Sequence, residues 1–368
     1  MRLSRIVTIL VLIMFIMTTA ILLGGCSQAP APKPSLPMDP VNEGSKASGD
    51  AAAPLPANMV IGYYENPWPN TPDQVGSFPS MKAHAKSMSH VAPFWYKATK
   101  EGTLETKESQ QVYDTAKQAG LKIFPLITYK TGAIEIILSD PAIRTKTIDN
   151  IVKVVNDKPY DGVNIDFELL KPAQEKNLTA FMAELYPKLK QLNKTVIVSV
   201  SPKTDVHESV YAAYNYNELV KNADFIQVRL YDRHWAASKP GAIAPISWYE
   251  ANLKYAIEQV GANKVIAGIS TYGYNWPAEK GKEAETLKYA DAIVLAHKKD
   301  AKVMYDDKEQ APYFKYKGGE AWFENDKSTA AKLDIVAKYK PAGIAIWRLG
   351  QEQPEIWPLV EQKFPKQQ

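Results

Sequence analysis

Residues 161–168 read DGVNIDFE, in which polar and apolar residues alternate as they do in a β-strand. Side chains alternate between the two faces of a β-strand, so Asn164, Asp166 and Glu168 share one face while the apolar residues between them share the other. Barrel interiors are usually filled with branched apolar side chains, and burying two carboxyl groups there carries a large desolvation cost. The stretch therefore predicts an active-site strand, with Glu168 at the C-terminal end where barrel active sites lie.

Short apolar, β-branched runs recur along the rest of the chain. They predict eight strands, at residues 59–64, 90–96, 122–129, 162–168, 195–202, 224–232, 264–272 and 343–349. Stretches with apolar residues at helical spacing separate most of them, and this alternation predicts a parallel sheet. The expected fold is therefore α/β, a (β/α)8 TIM barrel. The alternative is a doubly wound open sheet, but no Gly-rich phosphate loop follows the first strand.

The parallel sheet expected around DGVNIDFE indicates that this strand is buried. A strand with one polar face in water is the ordinary alternative to an active-site strand. Parallel sheets are covered on both faces, which argues against that alternative. A structural network of ion pairs is the other explanation for the two carboxyl groups.

The segment between the seventh and eighth predicted strands is far longer than one helix. It contains a helix-like stretch at 283–297 and short strand-like stretches at 302–305, 313–316 and 321–324. We expect a small α+β insertion at about residues 277–325 within a barrel domain that spans 59–368.

The N-terminus has the pattern of an exported protein. Arg2 and Arg5 precede an apolar run at residues 6–23, which is typical of a signal peptide. The sequence LGGC that ends at Cys26 resembles the bacterial lipobox, in which the cysteine is lipidated. Cys26 is the only cysteine, so no intramolecular disulfide is possible. We expect a signal peptide at 1–25 and a bacterial lipoprotein anchored outside the cytoplasm, in the cell membrane; an uncleaved transmembrane anchor is the alternative.

Residues 26–58 contain the expected lipidated cysteine followed by a stretch rich in Pro, Ala, Ser and Gly. Such a stretch buries too little apolar surface to fold, and it predicts a flexible linker. The formal net charge of the chain is +4, too small to argue for a nucleic-acid partner. The five histidines show no metal-ligand spacing, so we expect no metal and no cofactor, and we expect a monomer.

Several segments together resemble glycoside hydrolase family 18, the family of chitinases and endo-N-acetylglucosaminidases. DGVNIDFE resembles the family signature D-x-x-D-x-D-x-E, and FIQVRLYD at 225–232 resembles the strand that carries M-x-Y-D. GISTYGYNW at 268–276, AWFEND at 321–326 and GIAIWRLG at 343–350 resemble later segments of the family in the same order. The likeness is greatest to the bacterial spore cortex and cell-wall N-acetylglucosaminidases.

The resemblance implies a catalytic mechanism. Glu168 would protonate the glycosidic oxygen, and the 2-acetamido oxygen of the sugar would attack the anomeric carbon, which gives net retention. Asp166 would stabilise the acetamido group and Tyr231 would hydrogen-bond its carbonyl. The supporting residues would be Asp161 and Asn164 below Asp166, together with Arg229 and Asp232.

Aromatic residues near strand ends are candidate substrate-binding residues. The resemblance implies that Trp347 forms the floor under the reacting sugar. Four other aromatic residues are candidates to line subsites: Trp95, Tyr63, Tyr272 and Trp276. For each of these residues, and for Tyr231, the alternative is an ordinary packing role.

Two positions depart from the family pattern. Asn164 replaces an acid of the signature, which removes a negative charge beside Asp166. Arg229 stands where the family usually has Met, on the same strand face as Tyr231, and an inward guanidinium needs an anionic partner. Arg229 is expected either to reshape a subsite for an anionic group of the substrate, such as the lactyl carboxylate of muramic acid, or to hold Asp166 and slow catalysis.

Three functions are compatible with these observations. The first is a glycosidase that cuts β-1,4 linkages next to N-acetylglucosamine in peptidoglycan or chitin-like polysaccharide. The second is a carbohydrate-binding, lectin-like lipoprotein of the cell envelope, since a fold does not fix a function. Glu168 favours the enzyme, while Asn164 and Arg229 keep the lectin open. The third is a lipoprotein scaffold, which requires a large apolar surface patch.

Overall fold

The computed structural model describes residues 58–66, 76–279 and 281–365. The predicted signal peptide, Cys26 and the linker up to residue 57 lie outside the described residues. Within the described parts of the chain, no helix has the length and apolar character needed to cross a membrane.

Eight parallel strands close into a barrel. They are β1 (Met59–Tyr64), β2 (His90–Ala98), β3 (Leu126–Tyr129), β4 (Gly162–Ile165), β5 (Thr195–Val200), β6 (Phe225–Val228), β7 (Val265–Ser270) and β8 (Gly343–Trp347). Each strand pairs with the next, and β1 pairs with both β2 and β8, which closes the ring. Two short strands flank β2: Leu104–Thr106, antiparallel to it, and Lys122–Ile123, parallel to it. The predicted TIM barrel is confirmed.

Helices surround the barrel and cover its outer face. In chain order they are α1 (Phe78–His84), α2 (Gln110–Gln118), α3 (Ile134–Ser139), α4 (Pro141–Asp157), α5 (Glu175–Gln191), α6 (Glu208–Tyr211), α7 (Tyr216–Leu219), α8 (Ile246–Val260), α9 (Tyr289–Lys298), α10 (Asp326–Tyr339) and α11 (Ile356–Lys363). In α5, Leu178, Phe181, Met182, Leu185 and Leu189 are buried. Their spacing of three and four residues places them on one helix face, and burial of that face holds α5 against the strands.

The two faces of β4 are used as the sequence pattern predicts. Val163, Ile165 and Phe167 are buried in the layer between strands and helices, and the Phe167 ring lies 5.1 Å from that of Phe181 in α5. The barrel interior holds a separate apolar cluster that includes Ile61 and Leu126. The polar residues of β4 are therefore left to face the interior, toward the C-terminal mouth.

A second sheet lies between β7 and β8 in the chain. It is antiparallel, and its strands in spatial order are Glu285–Lys288, Tyr272–Pro277, Gly319–Trp322, Ala311–Tyr316 and Met304–Asp306. Phe314 and Phe323 pack with residues of α9 in a cluster of their own. The sheet begins at Tyr272, directly after β7, because the chain turns from the barrel strand into the first strand of the insertion.

Candidate active site

Two carboxyl groups leave the end of β4 at the barrel mouth. Asp166 is only 9% exposed, whereas the side chain of Glu168 is 48% exposed. The backbone around them is fixed by two tyrosines: Tyr214 OH donates to the carbonyl of Phe167 at 2.7 Å, and Tyr129 OH donates to that of Glu168. A buried carboxyl group thus stands beside one that solvent and a substrate can reach.

Arg229 connects the two acids. Its Nη1 lies 2.6 Å from Asp166 Oδ1, and its Nε lies 3.4 Å from Glu168 Oε1. Its Nη2 donates to Ser201 Oγ at 3.0 Å and to Tyr214 OH at 3.3 Å. Arg229 directly follows β6, its guanidinium is buried, and Asp166 is the anionic partner that an inward-facing arginine needs.

The pKa values of this group follow from burial and charge. Burial raises the pKa of Asp166 to about 7, and Glu168 adds to the increase, while Arg229 and Ser199 oppose it. Burial disfavours the charged guanidinium, but Glu168, Tyr214 and Asp166 outweigh it and raise the pKa of Arg229 well above its usual value. Arg229 therefore stays charged, and Asp166 changes charge near neutral pH.

A polar network lies below the acids, inside the barrel. Asn164 Nδ2 donates to Tyr63 OH at 2.6 Å, and Tyr63 OH donates to Gln227 Oε1 at 3.1 Å. Ser199 Oγ lies 3.0 Å from both Asn164 Oδ1 and Gln227 Oε1. Asn164 thus supports the site through neighbouring strands.

Sequence reasoning missed three residues of this floor: Ser199, Ser201 and Gln227. The signal was available, because each of them occupies an alternate, inward position of its strand, as Arg229 does. A search for polar residues at inward positions of β5 and β6 finds them.

Asp161 does not join the catalytic group. Its Oδ2 accepts a hydrogen bond from the backbone amide of Ile123 at 2.8 Å and lies 3.6 Å from Lys117 Nζ. It precedes β4, at the N-terminal end of the barrel, and strand alternation places it out of phase with Asn164 and Asp166. The resemblance implies that Asp161 supports Asp166, but the contacts of Asp161 are with Ile123 and Lys117 instead. These contacts hold the start of β4 in place.

Tyr231 and Asp232 follow β6 on the other side of the mouth. Tyr231 is buried, and burial followed by the influence of Tyr63 raises the pKa of its hydroxyl well above the usual value. The hydroxyl therefore stays protonated and can donate a hydrogen bond. Asp232 Oδ1 accepts hydrogen bonds from Tyr272 OH at 2.5 Å and from Tyr274 OH at 3.2 Å. These contacts join the barrel to the first strand of the insertion.

Among the predicted aromatic residues, Trp347 lies at the C-terminal end of β8. It is half-buried, and its ring packs edge-on against that of Tyr63 at 5.2 Å. Trp347 therefore lies partly exposed at the mouth, beside Tyr63 of the polar network. Tyr63 is 2% exposed and belongs to the polar network, and Tyr272 is 4% exposed and binds Asp232, so both act on the site through other residues.

Trp95 and Trp276 are almost completely buried. Trp95 is 2% exposed and packs outside the barrel at 6.2 Å from Tyr160. Trp276 is 5% exposed and packs beside Tyr274 at 5.5 Å in the insertion. The predicted subsite role of these two tryptophans is corrected to a packing role.

An exposed aromatic that the sequence reasoning passed over lies at the same mouth. Trp235 is 53% exposed, three residues after Asp232. Its loop is closed by a hydrogen bond from Ser238 N to Trp235 O at 2.8 Å and joined to the insertion by one from Ala284 N to Ala236 O at 2.9 Å. An exposed tryptophan in an anchored loop presents a flat apolar face to solvent, against which a ligand can pack.

Within the described ranges, no group of three or more His, Cys, Asp and Glu side chains is arranged to hold a metal ion. The chemistry available at this mouth is that of an exposed carboxyl group, a buried carboxyl–arginine pair and tyrosine hydroxyls. This set suits proton transfer to a substrate and stabilisation of positive charge.

Comparison with known proteins gives a consistent result. Residues 59–352 match the family described as glycosyl hydrolases family 18. An uncharacterised glycosylase of Bacillus subtilis, YvbX, is 26% identical over 327 residues, which cover 85% of this chain and 92% of that protein. The cortical fragment-lytic enzyme of the same organism is 25% identical over 293 residues, which cover 75% and 68% of the two chains.

Solved structures show the same similarity. The spore cortex-lytic enzyme SleL of Bacillus megaterium superposes with a TM-score of 0.75 and 26% identity, covering 85% of this chain and 75% of that one. The C-terminal domain of a putative chitinase from Desulfitobacterium hafniense gives a TM-score of 0.74 and 28% identity, covering 84% and 99%.

Proposed function

This chain belongs to family 18 of the glycosyl hydrolases, and from that premise we propose that it hydrolyses β-1,4 linkages next to N-acetylglucosamine in peptidoglycan or chitin-like glycans. One observation carries the proposal: an exposed carboxyl group, Glu168, stands beside the buried Asp166 at the barrel mouth. A cortex-lytic enzyme and a chitinase domain among the similar proteins support this class of substrate.

The proposed mechanism is substrate-assisted and retaining. Glu168 gives its proton to the glycosidic oxygen as the bond from that oxygen to the anomeric carbon breaks. The carbonyl oxygen of the 2-acetamido group forms a bond to the same carbon and produces an oxazolinium ion. Water then attacks that carbon from the face the leaving group left, passes a proton to Glu168 and opens the oxazoline ring, so both the acid and the acetamido group are regenerated.

The neighbouring residues have roles that their contacts support. Asp166, when ionised, lies where it can stabilise the positive charge of the oxazolinium ion. Tyr231 keeps its proton and can donate to the acetamido carbonyl. Trp347 provides the apolar floor under the reacting sugar, and Trp235 offers a second flat surface along the mouth.

The test is the release of reducing ends by residues 58–368 from purified peptidoglycan and from N-acetylglucosamine oligomers. Glu168→Gln keeps the shape of the side chain and removes the transferable proton, so we expect kcat to fall by roughly 10²–10⁴-fold. Glu258→Gln is the matched control, because Glu258 is exposed on α8. Activity that survives in Glu168→Gln at the wild-type level contradicts the proposal. The ratio of rates on the two glycans identifies the preferred polymer.

A carbohydrate-binding protein without activity is the second candidate. The observation in its favour is the ion pair between Arg229 and Asp166, which occupies the residue that should stabilise the intermediate. Its signature in the same assay is distinct: wild type and Glu168→Gln bind the glycan equally, and neither releases reducing ends.

A further inference from the structure

Arg229 has all three of its guanidinium nitrogens directed at protein groups. Nη1 faces Asp166, Nε faces Glu168, and Nη2 donates to both Ser201 and Tyr214. The side chain is only 10% exposed. An anionic group of a substrate would have to displace these partners before it could bind the guanidinium, so the structure argues against direct recognition of a substrate anion by Arg229.

The same contacts reach the backbone that carries the two acids. Tyr214, which accepts from Arg229, donates to the carbonyl of Phe167, the residue between Asp166 and Glu168. The Tyr214 ring also lies 5.5 Å from the guanidinium carbon, which favours a cation–π contact. Arg229 and Tyr214 therefore hold the side chains and the backbone of the acidic pair in one arrangement.

The positive charge of Arg229 also offsets the repulsion between the carboxylates of Asp166 and Glu168. Two carboxylates that share a site repel each other, and one of them tends to remain protonated. The positive charge of Arg229 lies between them and lowers this cost. Glu168 is free to face the mouth because Asp166, which is more deeply buried, takes the shorter ion pair.

We propose that Arg229 is a positioning residue for the glycosidase reaction, which sets the relative position and charge of Asp166 and Glu168 and does not bind the substrate. This inference rests on the proposed function. Of the two roles expected from the sequence, it excludes substrate binding and keeps the contact with Asp166, but this contact supports catalysis instead of slowing it. The charge of Arg229 also sets the pH at which the acid pair titrates.

Several other ionisable groups face the pair of Asp166 and Glu168. The other acid is Asp232. The phenols are Tyr63, Tyr129, Tyr214, Tyr231 and Tyr274, and burial raises the pKa of each, so they stay neutral in the working range. Among the described groups that face the pair, Arg229 is thus the cation whose loss changes the titration of Asp166.

The test compares Arg229→Met and Arg229→Lys with wild type on neutral N-acetylglucosamine oligomers and on peptidoglycan fragments that carry carboxylates. For Arg229→Met we expect kcat to fall by roughly 10²-fold on both substrates, with KM little changed. We also expect the alkaline limb of the pH profile to move up by roughly one to three units, because removal of the cation raises the pKa of the pair formed by Asp166 and Glu168. Arg229→Lys keeps the charge without the planar fork, so it should keep the pH profile and recover only part of kcat.

The control is Arg144→Met, since Arg144 forms a half-buried ion pair with Glu184 at 2.7 Å between the outer helices α4 and α5. A rise in KM confined to the carboxylate-bearing glycan, with kcat unchanged, overturns the inference and makes Arg229 a substrate-binding residue. An unchanged pH profile in Arg229→Met overturns it as well.

A second measurement separates this inference from the proposed function. The titration of Asp166 is followed by ¹³C NMR of labelled aspartate carboxyl groups, with Asp166→Asn to assign the signal. A higher midpoint in Arg229→Met than in wild type supports the role of Arg229 even in a protein that cleaves no glycan. An identical midpoint contradicts it. If Arg229→Met does not fold, the same comparison is made with Arg229→Gln, which also removes the charge, so its midpoint should lie above that of wild type.

Discussion

Asp166 combines deep burial with an arginine partner and an acidic neighbour, and the balance places its pKa at about 7. The raised pKa means that the pair of Asp166 and Glu168 retains a proton below about pH 7 and loses it above that pH. The reaction needs this proton on Glu168 while Asp166 is ionised, so activity should fall as the pH rises through this range. The midpoint belongs to the pair formed with Glu168 rather than to one carboxyl group.

Asp166→Asn tests this dependence. The amide keeps the volume of the side chain and an acceptor for Arg229, but it has no negative charge, so kcat should fall by roughly 10²–10³-fold. The alkaline limb of the pH–rate profile near pH 7 should move to lower pH, because the second carboxylate no longer favours protonation of the pair. Asp224→Asn is the control: Asp224 is also buried, but it contacts Lys190 and the amide of Val196 at the start of a strand. If the limb stays at the same pH in Asp166→Asn, another group controls it.

The sequence pattern predicted which way the acidic residues face better than it predicted which way the aromatic residues face. The inward phase of Asn164, Asp166 and Glu168 follows from alternation along a strand. Alternation fails at Trp95, where the pairing of β2 with β3 shifts register between Phe94 and Tyr96. The extra residue of this bulge faces outward, and a bulge depends on the neighbouring strand rather than on local sequence.

At the scale of elements, the insertion is attached to the barrel by a buried ion pair. Glu324 Oε2, just after the last strand of the insertion, lies 2.7 Å from Lys332 Nζ in α10, and both side chains are at most 1% exposed. Glu324 also accepts from Ser270 at the end of β7 and from Ser328. One carboxylate thus joins three elements, and its charge is compensated only while all of them are in place.

Glu324→Gln should therefore destabilise the fold strongly. It leaves the ammonium of Lys332 buried without a counter-charge, and the expected loss in the free energy of unfolding is about 3–5 kcal/mol. Denaturant unfolding measures it. The matched comparison is Asp334→Asn, which breaks the exposed pair of Asp334 with Lys363 and should cost no more than about 1 kcal/mol. Losses of equal size would mean that the buried pair contributes no more than a surface pair.

At the scale of the whole molecule, the barrel could be predicted and the connections within the site could not. Strand and helix periodicity gave the eight strands, because each element must bury one face regardless of its partners. The hydrogen bonds among Asn164, Ser199 and Gln227 join three strands. The hydrogen bond from Arg229 to Tyr214 joins the end of β6 to a loop. Such contacts depend on strand order, tilt and register, which periodicity does not contain.

The position of the barrel in the cell depends on residues before the described fold, and we propose that it is a lipoprotein anchored through Cys26. The apolar run at 6–23, the small residues before Cys26 and the Pro- and Ser-rich stretch after it support this proposal. A single acyl chain holds a protein weakly, so stable anchoring requires the multiple chains of a lipidated N-terminal cysteine.

Full-length protein expressed in a bacterium should sediment with membranes and incorporate labelled palmitate. Cys26→Ser should lose the label, and glycosidase activity per molecule should remain unchanged because the barrel is intact. Label retained in Cys26→Ser would place the lipid elsewhere, and unlabelled wild type that still sediments with membranes would favour an uncleaved apolar helix as the anchor.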